Sequence, residues 1–163
     1  MKQNIMKYID ILEGYKSYIK NCHWSAKNMN EHKLCDEIAD TISENQDEIA
    51  EIAQGLFGQI KMKELKPKGM NFSSTKELLK QLINDTNKFY KTINGDKFIG
   101  MRSVVEAFLG ELNKYQYLID LCLKEDINRR LKSNLTERKQ ISLNERELRS
   151  LIRESINNVL SRR

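Results

Sequence analysis

Apolar residues recur along most of this chain every three to four positions, the period of a helix that buries one face. From residue 3 to 27 the spacing is carried by Ile5, Ile9, Ile11, Leu12, Tyr15, Tyr18 and Ile19, until Asn28-Met29-Asn30 interrupts it. A second helix is predicted from an Asn30 N-cap to about Leu56, where Gly55 and Gly58 weaken it. Residues 59–73 read as a connection holding the only proline, Pro67. Ser74, with Glu77 three positions on, forms a capping box that opens a third helix reaching about Thr92. Asn94-Gly95-Asp96 breaks the chain again, and Lys97 to Leu123 supplies a fourth helix with Phe98, Val104, Val105, Phe108, Leu109, Leu112, Tyr115 and Leu118.

Past the fourth helix the pattern changes. Arg129 to Gln140 is polar, and Ser142 with Glu145 then predicts a new capping box and a further amphipathic helix along Leu148, Leu151, Ile152, Ile156, Val159 and Leu160. A helix this short is marginal in isolation and is expected to dock on something. The organisation is therefore all-α: a bundle over 1–125, then a basic linker and C-terminal amphipathic helix over 126–163. Two short hairpins joined by a long middle crossover is the connectivity of ferritin-like four-helix bundles.

Composition narrows this further. One proline, 7 glycines and a hydrophobic fraction of 39% in 163 residues fit one ordinary helical domain and argue against a sheet. Charged residues interrupt Ile5 to Ile19 repeatedly, so neither a signal peptide nor a membrane span is predicted and an intracellular, soluble protein is expected. Cys22, Cys35 and Cys122 have no paired spacing and read as reduced, packed thiols. Basic and acidic residues balance at 18 each over 1–125, against 10 and 5 over 126–163, so the whole +5 excess belongs to the tail. Three readings of the tail stay open: docking to a protein or neighbouring subunit, a passive solvated arm, or contact with DNA phosphates. The last would use Arg129, Arg130, Lys132, Arg138, Lys139, Arg162 and Arg163, among which Glu137, Glu145, Glu147 and Glu154 are interleaved.

The candidate chemistry lies on the second helix. His32, Asp36, Asp47 and Glu51 are spaced four, eleven and four apart. At roughly 100° per residue they fall near 0°, 40°, 60° and 100°, one face of a helix. Leu34, Ile38, Ile42, Ile49, Ile52 and Leu56 cluster instead between about 200° and 280°. A metal site on the first face points away from the core and must be completed from outside it, most simply by a second subunit. The competing reading is a solvated acidic face, since Glu31, Glu37, Asp40, Glu44 and Glu48 share the helix. A di-iron site within one bundle normally needs Glu-x-x-His on two helices, and the chain has none.

Cys22-His23-Trp24 followed by His32-x3-Asp36-x10-Asp47-x3-Glu51 resembles the Dps family, the DNA-binding proteins from starved cells or mini-ferritins. The resemblance covers about residues 3–123, including Asn94-Gly95-Asp96 and the Glu111 to Leu118 region. It implies a dodecamer built from two-fold dimers, with His23, His32 and Asp36 of one subunit facing Asp47 and Glu51 of its neighbour. It implies oxidation of Fe(II) by hydrogen peroxide or oxygen, iron storage in the cytoplasm, and Trp24 as an oxidisable neighbour. Imidazole and carboxylate donors suit iron in both oxidation states, with zinc or another divalent metal as the alternative occupant. The His23 to His32 interval is nine residues where the family usually has twelve, which puts His23 in question. Separately, Ile141 to Ser155 resembles a terminal cassette found on otherwise unrelated proteins of Bacteroidetes and their phages. That implies an address or packaging tag, and with it a second reading: a non-catalytic structural or cargo protein, phage-encoded and carried inside a virion.

Overall fold

The computed structural model describes residues 1–61 and 69–160, apart from the side chains of 137–144, 146 and 155–160. It is all-helical, with no strand among the described residues. The helices are α1 (Lys2–Ser25), α2 (Met29–Phe57), α3 (Thr75–Thr92) and α4 (Ile99–Leu160), the last entered through a 3-10 turn at Asp96–Phe98. Pro67 lies outside the described residues.

Local chemistry explains most of the boundaries. Asn28, not Asn30, caps α2: its backbone is extended and its side chain accepts the Glu31 N–H at 2.8 Å. Asn30 falls inside the first turn, where its side chain is too late to serve the first free N–H groups. Ser74 caps α3 as predicted, accepting the Glu77 N–H at 3.2 Å. Glu77 in turn accepts the Ser73 N–H at 2.8 Å, so the reciprocal half of the box is shifted back by one residue. Gly58 ends α2 at φ 81°, a conformation that costs glycine little, and its N–H reaches the Gln54 carbonyl at 2.9 Å.

The chain divides into two compact units, Met1–Cys122 and Leu123–Arg163. In the first unit, cross-helix bonds fix the helix directions. Along α1, Tyr8 donates to Thr86, Tyr15 to Asp85, and Tyr18 to the Phe72 carbonyl, so α3 runs antiparallel to α1. Gln46 donates to the Ile9 carbonyl and to Glu13, while His32 meets His23, so α2 is antiparallel to α1 as well. Thr41 bonds Tyr115, and Phe57 packs on Phe98, which reverses α4 against α2. The consequence is that α2 and α3 run parallel, and the segment between them must travel the length of the helices. Ile5, Leu12, Ile19, Ile38, Ile42, Ile49, Leu78, Leu82, Met101, Val105, Phe108 and Leu112 close the shared core.

In the second unit the helix does not stop. No new helix begins at Ser142, because α4 continues unbroken through 129–140 to Leu160. The physical reason is composition. No glycine or proline follows Gly110, and the good helix formers Leu, Lys, Arg and Glu supply about half of the residues from there to Leu160, so helix propagation meets no strong breaker and a local Ser-x-x-Glu signal has no preceding break to act on. Along this stretch Ile127, Leu131, Leu135, Leu148, Leu151 and Ile152 are all at least half exposed. The side chains of Ile156, Val159 and Leu160, and all of Arg162 and Arg163, lie outside the described residues.

The buried polar groups predict an alkaline limit to stability. Burial pushes the phenols of Tyr8 and Tyr15 well above the ordinary tyrosine value of 10.0 and the Cys35 thiol from 9.0 up to about 12. Each of these acids binds its proton more tightly folded than unfolded. Their contribution is therefore complete below the unfolded values and is lost as pH climbs from there toward the folded ones. Urea midpoints should stay level across neutral pH and fall steadily once pH passes about 9 to 10. A level midpoint through that window would contradict the burial.

Candidate metal centre

Only Ala26 to Asn28 separate α1 from α2, so the last turn of one helix and the first turn of the other face each other across a very short link. That link brings His23 and His32 together. Their ring centroids are 3.8 Å apart, tilted by 31°. The His23 Nδ1 lies 3.1 Å from the His32 carbonyl oxygen, and the His32 Nδ1 lies 3.1 Å from the His23 carbonyl oxygen. A carbonyl only accepts, so both Nδ1 atoms carry the hydrogen and each Nε2 is the nitrogen left to bind a metal. Backbone carbonyls play this orienting part behind metal-bound histidines generally.

Asp36, one turn further along α2, completes the group. Its Oδ1 is 3.0 Å from the same His23 Nδ1, so without a metal it shares that N–H with the His32 carbonyl, and one potential ligand atom from each of the three residues lies within 4.8 Å of the others. Among the described residues no other group of histidines, cysteines or carboxylates meets this condition. The nine-residue interval leaves His23 beside His32 and Asp36 at the short link between α1 and α2.

Two imidazoles and one carboxylate, all only partly buried, form a donor set with positions left open. That set suits Fe(II), and a zinc ion with three protein ligands has the same requirement.

Asp47 and Glu51 are not part of this cluster. Both are exposed, and the eleven residues from Asp36 to Asp47 span about 16 Å of helix, too far to share an ion within one chain. Asp47 and Glu51 are exposed on the side of α2 away from the buried Leu34, Ile38, Ile42 and Ile49, while His32 and Asp36, on the same stripe, are partly covered by His23 and Lys20 of α1. Trp24 follows His23 and is 75% exposed, so it is not a core residue. Cys22 and Cys35, next in sequence to His23 and Asp36, are buried free thiols. Burial raises both, Cys35 lies 3.9 Å from the Thr75 hydroxyl, and neither thiol belongs to the three-residue group.

One neighbour was not foreseen. The Lys20 ammonium sits 3.3 Å from the same Asp36 Oδ1 that His23 approaches. The signal was available: Lys20 stands three residues before His23, on the same helix face. A metal ion at Asp36 has to compete with this cation. Lys20→Met should therefore tighten Zn(II) binding measured by calorimetry, by about two- to fivefold since the pair is half exposed. Unchanged or weaker binding would show that Lys20 does not oppose the metal.

No protein-family model matches the chain, and neither does any curated protein or solved structure. The centre's chemistry rests on its own donors.

Proposed function

We propose that this chain is a ferritin-like, Dps-type ferroxidase that oxidises Fe(II) with hydrogen peroxide or oxygen at centres shared between subunits and stores the product. The observation that carries the reading is the convergence of His23, His32 and Asp36 at the α1–α2 turn. The parallel α2 and α3 with a long segment between them suit a ferritin-like bundle.

Symmetry supplies the second half of the argument. His32 and Glu51, and likewise Asp36 and Asp47, are equidistant from a point between Thr41 and Ile42. Two α2 helices packed antiparallel about a two-fold axis at that point would set Asp36 against Asp47 of the partner subunit, and His32 against Glu51 of the partner subunit. The same contact repeats on the other side of the axis, giving two centres per dimer.

At such a centre iron is the substrate. Each of two ferrous ions gives up one electron, hydrogen peroxide takes both, its O–O bond breaks and two hydroxide ions form. The carboxylates favour the more highly charged ferric product, and the imidazoles hold the ferrous ions beforehand. Trp24, exposed and next to His23 in the chain, would be the oxidisable side chain that gives up an electron to a stray oxidant. Six such dimers would make a twelve-subunit shell in the cytoplasm, and its tail would dock to protein in preference to DNA, because an exposed apolar stripe accompanies the charge.

A second reading is favoured by one observation. The reciprocal histidine–carbonyl pair and the Lys20–Asp36 contact already give these side chains partners, so they would staple the turn of a non-catalytic structural or cargo protein with no metal at all.

A mixing experiment separates the two. His32→Ala/Asp36→Ala chains and Asp47→Ala/Glu51→Ala chains are each expected to be inactive alone. After co-refolding, about half of the mixed dimers' centres become intact and Fe(II) oxidation returns. Activity that never returns on mixing argues against shared centres.

A further inference from the structure

We infer that the second unit of this chain is an antiparallel pairing helix, and that its partner is the same helix of a second copy. The observation is an exposed seam with a repeat in it. Ile127, Leu131, Leu148 and Ile152 are 50–58% exposed along α4. Ile127 to Leu148 and Leu131 to Ile152 are each 21 residues, three heptads. On a straight helix a heptad repeat drifts by about 20° per heptad, so these two patches would be turned roughly 60° from each other. A left-handed supercoil around a second helix removes that drift and joins them into one stripe. Nothing in a solvated helix requires the coincidence.

The spacing also selects the occupant and its direction. Within each patch the two aliphatic residues are four apart, and the patches are symmetric about a point between Lys139 and Gln140. Two copies running antiparallel therefore bring Ile127 against Ile152 of the partner subunit, and Leu131 against Leu148 of the partner subunit, twice over. An in-register parallel pair would match the aliphatics too. It would, however, set Glu145 against Glu145 of the partner subunit in the seam, a like-charge contact that two-stranded coils avoid. The antiparallel pair places the exposed Glu145 opposite the exposed Asn134 of the partner subunit, a donor for its carboxylate. The overlap from Ile127 to Ile152 runs about 39 Å. A standard stable interface buries about 800 Å² per copy, which a seam of that length would have to reach with its polar rim included. The same register sets Arg138 against Ile141 of the partner subunit; repulsion among the surplus basic residues of the two copies opposes the pairing, which therefore strengthens as salt is added. This inference stands apart from the metal centre, since none of its residues belongs to α2.

Cross-linking of the full chain tests it. In a Cys122→Ser background only the buried Cys22 and Cys35 remain. Under mild oxidation, a mixture of Leu131→Cys and Leu148→Cys chains should form disulfide dimers rapidly. Leu131→Cys alone should do no better than Ser133→Cys, a position off the seam. Adding Ile127→Asp and Ile152→Asp to both chains should abolish the mixed dimer while leaving the helical signal of the first unit intact. The inference is overturned if Leu131→Cys cross-links to itself as fast as the mixture, which means parallel pairing. A mixture that performs no better than the Ser133→Cys control also overturns it, and that is the result a helix occupied by DNA or by another protein would give.

Discussion

His32→Ala should weaken Fe(II) binding by about 100-fold or more, because it removes a direct donor where even the loss of an outer-shell partner typically costs 10- to 100-fold. The substitution acts twice. It deletes the Nε2 that the Nδ1 contact aims, and it deletes the N–H that the His23 carbonyl accepts at 3.1 Å. The second loss costs stability only modestly, about 0.5–1.5 kcal/mol, since the site is partly open to water. His32→Asn separates the two effects, because its amide can still donate to the His23 carbonyl but supplies no imidazole nitrogen. The expected pattern is normal thermal stability for His32→Asn with binding as poor as in His32→Ala, read by calorimetry under anaerobic conditions. Restored stability together with wild-type binding would mean that the ring is not a ligand.

Tyr8→Ala should destabilise the first unit by about 3–5 kcal/mol, the usual cost of removing a buried aromatic ring. Tyr8 is 2% exposed and stacks on Phe89 with centroids 4.0 Å apart and planes 9° from parallel, so its ring joins α1 to α3 directly. Its hydroxyl donates to Thr86 at 2.8 Å, and Thr86 donates onward to the Leu82 carbonyl at 2.7 Å, a satisfied buried chain. Tyr8→Phe keeps the stack and gives up only the first of these bonds, so it should cost about 0.5–1.5 kcal/mol. Urea unfolding of the three proteins measures the difference. Equal losses for Ala and Phe would mean that the hydrogen bond, not the packing, carries the contact.

These contrasts also show what a one-dimensional pattern can carry. The apolar periods of α1, α2 and α3 located those helices because their buried faces are continuous, and Ser74 with Glu77 marked a true boundary because an irregular segment precedes it. Ser142 with Glu145 looked the same in sequence, yet the helix passes through it: a capping signal needs a chain that has already left the helix, and nothing after Gly110 makes it leave. Asn28 and Asn30 were indistinguishable by residue type, and the choice fell to the one whose extended backbone could aim its oxygen at Glu31.

The same division holds at the centre. That His32, Asp36, Asp47 and Glu51 share one stripe of α2 follows from helical geometry alone. The reach of His23 does not, because it depends on how closely α1 and α2 approach at a three-residue link. Lys20 escaped notice because its role arises from α1 lying against α2, not from any spacing on α2. In the proposed dimer Asp47 and Glu51 would act from the partner subunit, a pairing that no single chain's pattern contains.

The most direct test of the central reading is an anaerobic Fe(II) titration of the purified protein followed by a pulse of hydrogen peroxide, with Asp47→Ala/Glu51→Ala run in parallel. Saturable binding and rapid formation of Fe(III) in the unaltered chain, both lost in the double variant although His23, His32 and Asp36 remain, is the predicted result. Binding and oxidation that are the same in both proteins, or absent from both, would contradict a ferroxidase centre shared between subunits.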